Sequence, residues 1–84
     1  MPRYADLIAT MPSDELYLQL IRMKQERNRL LEEAGDTWLQ WRDGKIVDGE
    51  ILCKSLHKKA KQLYHKIDKA EEEHHKRVIQ DMRG

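Results

Sequence analysis

Apolar residues recur along this chain in steps of three and four. In the C-terminal half Cys53, Leu56, Ala60, Leu63, Ile67 and Ala70 follow one another at such intervals. In the N-terminal half Leu16, Leu20, Met23, Leu30 and Ala34 form a second stripe. Residues three and four apart share one side of an α-helix. The pattern therefore predicts an all-α chain whose two long helices fold back on each other.

Punctuation between the stripes sets the boundaries. Tyr4, Leu7, Ile8 and Met11 predict a short helix over 3–11, ended by Pro12. Ser13 is the expected N-cap of a long helix over 14–42, with Asp14 and Glu15 in the first turn, where the helix dipole favours negative charge. Gly35 is the weak point, because an interior Gly costs a helix roughly 1 kcal/mol against Ala. The alternative is a break at 35, but Leu30, Ala34, Trp38 and Trp41 carry the stripe across it. Asp43-Gly44 is a stop, residues 43–48 form the turn, and Asp48 is the expected cap of a helix over 49–82. A rival reading makes Asp43-Gly44 a β-hairpin turn between Trp41-Arg42 and Lys45-Ile46. After Ala70 the stripe stutters through His74, Val78 and Met82 in steps of four, a slip that locally straightens a left-handed supercoil.

Folding the long helices antiparallel about residues 45–46 sets a register. Asp14 and Glu15 fall near Arg77 and Lys76; Glu32, Glu33 and Asp36 fall near Lys59, Lys58 and Lys54. Arg27 falls opposite Tyr64, where a cation–π contact or a hydrogen bond would give it a partner, and His74 falls near Tyr17. A helix pair has a seam but no enclosed centre. Tyr17, Leu31, Trp38, Tyr64 and Val78 would stay half wet unless the 3–11 segment or a second copy covers them. A homodimer forming a four-helix bundle is the expected answer.

The 84 residues make one domain, with 37% charged and 39% apolar residues and no Phe. The formal charge of +1 excludes a uniformly basic nucleic-acid binder, yet it hides a split. Residues 1–50 hold seven Lys/Arg and ten Asp/Glu, a net of −3, whereas residues 51–84 hold nine and five, a net of +4. Cys53 is the lone cysteine, so no disulfide forms within the chain, and a reducing, cytoplasmic setting is expected. The first residues carry charges at positions 3, 6, 14 and 15, which argues against a signal peptide or membrane anchor.

Candidate chemistry is sparse. Lys54, Lys58, Lys61, His65 and Lys69 line the outer side of the last helix and could track a phosphate backbone. No aromatic interleaves with them to stack on bases, and a solvated face partly neutralised by the acidic first helix is the favoured reading. The pairs Cys53/His57, Glu71/His74 and Glu72/His75 each offer two ligands one turn apart, short of the three or four a metal site needs. No metal, cofactor or catalytic set is therefore expected, and the chain reads as no enzyme. Trp38 and Trp41 sit at the hairpin end with Ile46, Val47 and Ile51, either as a core cap or as an anchor for a partner.

Residues 53–64, C-K-S-L-H-K-K-A-K-Q-L-Y, resemble the second helix of the repressor-of-primer family through Cys53, Ser55, Leu56, His57, Ala60, Leu63 and Tyr64. That resemblance implies a dimer of αα-hairpins and, by the family's activity, binding of paired RNA loops. The leading functional expectation is a small helical regulator, of the phage or plasmid accessory type, that binds a larger protein through Trp38, Trp41, Ile46 and Val47. RNA or DNA binding through the lysine-rich helix is the alternative, and a structural assembly subunit a weaker one.

Overall fold

The computed structural model describes residues 3–83. It contains three helices, α1 (Tyr4–Thr10), α2 (Ser13–Arg42) and α3 (Gly49–Arg83), and no strand among the described residues. The rival β-hairpin at Asp43-Gly44 is thus replaced by a helix stop and a loop. α2 and α3 pack against each other as the expected antiparallel hairpin.

The seam alternates steps of three and four without interruption. On α2 it runs Leu16, Leu20, Met23, Arg27, Leu30, Ala34, Thr37 and Trp41; on α3, Cys53, Leu56, Ala60, Leu63, Ile67, Ala70, His74 and Arg77. All are buried or half-buried except Trp41. A mean step of 3.5 residues keeps both stripes facing each other in a left-handed supercoil. Two sequence expectations shift here. Thr37, not Trp38, takes the seam, and Arg77, not Val78, continues it after His74. The expected stutter is absent because Arg77 supplies the inward side chain, while Val78 and Met82 stay exposed.

The register agrees with a fold about residues 45–46. Tyr17 and His74 place their ring centroids 6.1 Å apart, and the Arg27 guanidinium lies 5.2 Å from the centre of the Tyr64 ring. That cation–π contact gives a seam arginine a partner. The expected ion pairs differ. Glu33 binds Arg29 and Lys54 binds Glu50, each within its own helix. Glu32, Asp36 and Lys58 sit on outward positions and do not reach across. Lys24–Glu71 at 2.7 Å is the one ion pair joining α2 to α3 among the described residues.

Ser13 is the first residue of α2, and Pro12 takes the capping position without a side-chain bond. The Ser13 hydroxyl instead accepts a hydrogen bond from Arg77 Nη1 at 3.2 Å. Arg77 Nη2 donates to the carbonyl oxygens of Ile8 at 2.9 Å and Ala9 at 3.2 Å. Its Nε donates to Glu73 Oε1 at 3.0 Å. This pair is the least exposed ion pair present, at 18% and 17% for the two side chains. One guanidinium thus ties the end of α1, the start of α2 and the body of α3.

α1 covers one flank of the hairpin only. Ile8 is buried in a cluster with Leu16, Leu20, Ile67 and Ala70, and Tyr4, Met11, Met23 and Leu63 pack around it. The Tyr4 hydroxyl donates to Gln19 Oε1 at 3.4 Å and to Met23 Sδ at 3.5 Å. Partial burial pushes the Tyr4 hydroxyl above its ordinary pKa.

α2 runs through Gly35 unbroken, and a Cβ there would meet nothing within 4 Å. Gly35→Ala should therefore stabilise the protein by about 0.5–1 kcal/mol in urea unfolding; destabilisation would refute the continuous helix. Arg77→Met keeps the aliphatic stem but strips the donors from the clasp. It should lower stability by about 2 kcal/mol and speed hydrogen exchange of α1 amides, and unchanged α1 protection would sink the clasp.

Candidate functional site

The turn is built by backbone rules. Gly44 has φ +75°, a left-handed conformation that only Gly adopts readily. Its N–H donates to the Trp41 carbonyl at 3.1 Å, and Lys45 N–H donates to the Gln40 carbonyl at 2.9 Å. These two bonds form a Schellman motif that satisfies the last carbonyls of α2. Asp48, directly before α3, accepts the Leu52 N–H on its backbone oxygen at 3.0 Å.

Trp41 closes the seam against Gly49. A Cβ on Gly49 would overlap Cβ and Cγ of Trp41, so the start of α3 lies directly on the indole. Trp41 is nevertheless partly exposed, as is Trp38, whose ring lies 5.4 Å under the Arg42 guanidinium. Trp41 is thus both core cap and surface, whereas Trp38 stands on the flank. Val47 is 92% exposed at the tip, and Ile46 beside it is half-buried.

Leu39, Ile51 and Leu52 complete this surface, with Ile51 71% exposed. Leu39 and Ile51 occupy positions that face away from the seam on their respective helices. The turn end thus carries a cluster of exposed apolar side chains, set among the exposed charged residues Arg42, Asp43, Lys45, Asp48 and Glu50. The sequence reading put Ile51 beside the tryptophans but passed over Leu39 and Leu52. The signal was there: both are large apolar residues off the stripe and close to the turn.

Lys54, Lys58, Lys61, His65 and Lys69 all lie exposed on the outer side of α3, as their spacing predicted. Lys54 is engaged by Glu50 at 3.0 Å, and Lys69 stands 3.9 Å from Glu72. Between them Lys58, Lys61 and His65 make no ion pair among the described residues.

A third feature lies on the flank that α1 leaves open. Tyr17, Leu20, Ile21 and Val78, with Lys24, Glu71, His74 and His75, line an open groove of about 860 Å³. The paired His and Glu residues of α3 project here, yet no group of three or more His, Cys, Asp or Glu that could hold a metal occurs among the described residues. Cys53 is a free, half-buried thiol that donates to the Ala34 carbonyl at 3.5 Å. No helix is long and apolar enough to cross a membrane among the described residues. No protein-family model, curated protein or solved structure matches the chain.

The contact of Trp41 with Gly49 carries its own test. Gly49→Ala forces two elements apart and should destabilise the protein by about 1–3 kcal/mol in urea unfolding. The loss should shrink when Trp41 is also changed to Ala, because the two residues touch. A neutral Gly49→Ala would show that this approach is not tight.

Proposed function

We propose that this protein is a non-enzymatic helical interaction protein, of the kind found among phage and plasmid accessory factors. It acts in the cytoplasm as a homodimer and modulates a larger protein by binding it through the turn end. The observation that carries this reading is the apolar shell around the turn, formed by Trp38, Leu39, Trp41, Val47, Ile51 and Leu52. Burying large side chains of this type contributes about 1.5–3 kcal/mol each, and Trp anchors are favoured at binding hot spots. Ile46, half-buried next to Val47 in the turn, is assigned to the same surface.

A second reading is RNA or DNA binding along α3, favoured by the unpaired run of Lys58, Lys61 and His65 and by the resemblance of residues 53–64 to the repressor-of-primer helix. Each phosphate contact there would make affinity fall as salt rises. Assembly into a larger structure is a third, weaker reading.

Ile51→Ser and Val47→Ser alter exposed side chains and should leave the fold intact. Together they should weaken capture of the cellular partner by about ten-fold or more, while Lys58→Glu with Lys61→Glu should leave capture unchanged. If instead the lysine changes abolish a salt-sensitive affinity for nucleic acid and the turn-end changes do nothing, the protein-binding reading is wrong.

A further inference from the structure

The two flanks of the hairpin differ in kind. In an antiparallel helix pair, residues just after a seam position on one helix lie beside their counterparts on the other. On the open flank these are Tyr17, Lys24, Leu31 and Trp38 of α2, and His57, Tyr64, Glu71 and Val78 of α3. All five apolar members are exposed. On the opposite flank the equivalent positions are mostly polar, including Glu26, Glu33, Lys59 and Lys66, and α1 covers one end. α1 therefore does not cover the residues that broaden the stripe.

We infer that the open flank is covered by a second copy of this chain, with the two-fold axis parallel to the hairpin, so that α2 of each copy lies over α3 of the other and both turns emerge at the same end. This deepens the homodimer part of the proposed function and rests on it. Size supports the occupant: from Tyr17 to Trp38 the flank runs about 30 Å and is two helix diameters, about 20 Å, wide. That outline approaches the roughly 800 Å² per partner of a standard stable interface.

Charge selects both occupant and orientation. A copy docked with α2 over α3 sets Lys24 of the flank against the helix that carries Glu71; the antiparallel alternative stacks α2 on α2 and α3 on α3. On the open flank the Lys24–Glu71 pair is the only cross-helix ion pair among the described residues. The parallel axis brings Lys24 of one copy beside Glu71 of the other and closes an alternating ring of four charges. It also seats Leu31 of one copy between Tyr64 and His57 of the other. The outer lysines of α3 point away from this interface. Gathering both turns at one end doubles the apolar surface offered to a single partner.

Two measurements on the full chain test this. Light scattering should give about twice the 10.1 kDa chain mass. Tyr17→Glu with Val78→Glu, both at exposed positions, should weaken the dimer by about a hundred-fold while circular dichroism stays helical. Lys61→Glu should leave the dimer intact. Spin labels at Val47→Cys in a Cys53→Ser background should lie within the width of a bundle. Labels separated by nearly the 59 Å length of the molecule overturn the orientation while sparing the dimer. A monomer overturns both, as does a larger assembly; a dimer indifferent to the flank variants overturns the face. None of these results depends on partner capture at the turn.

Discussion

Sixteen side chains along one antiparallel seam hold this protein together, and their strict alternation of three and four steps is the constraint from which the rest follows. A short chain has little core to draw on, and here the buried set is made of small and medium residues, Leu16, Leu20, Leu30, Ala34, Ala60, Ile67 and Ala70 among them. Polar seam members then restrict the register: Arg27 needs the Tyr64 ring, and Arg77 needs the carbonyls of Ile8 and Ala9. A slip by one heptad would leave both guanidinium groups without these partners, which is how a polar seam residue specifies one alignment.

The same alignment makes the molecule asymmetric. Once the seam is fixed, residues on either side of it are sorted to two flanks, and only one is covered. α1 is too short to stand alone as a helix; it is held because Ile8 fills the cluster over Ala70 and Leu16 and because Arg77 accepts the duty of bonding its last carbonyls. Its placement on one flank leaves the other as an apolar face broken by a single ion pair.

Surface chemistry is thereby separated in space. The turn end gathers exposed apolar side chains among charged ones, the open flank is apolar and nearly neutral, and the outer side of α3 is basic. These three surfaces overlap only at Trp38, which borders both turn and flank. The proposed dimer face, the proposed partner site at the tip and the hydrated charged back of α3 are thus different surfaces.

Spacing determined the helices, and with the stops at Pro12 and Asp43-Gly44 it determined the turn and the antiparallel register, because helical periodicity is a local property that tertiary contacts here reinforce. It also determined that Lys54, Lys58, Lys61, His65 and Lys69 share an outer face. Tertiary structure decided which polar residues enter the seam. Nothing in a hydropathy pattern marks Arg77 as inward, since its place depends on carbonyls of a segment some seventy residues away. For the same reason the expected charge pairs did not form: shared level along two helices is not shared direction, and Glu32, Asp36 and Lys58 face solvent. Only the fold, finally, placed α1 on one flank, because that choice rests on shape complementarity at Ile8 rather than on any periodicity.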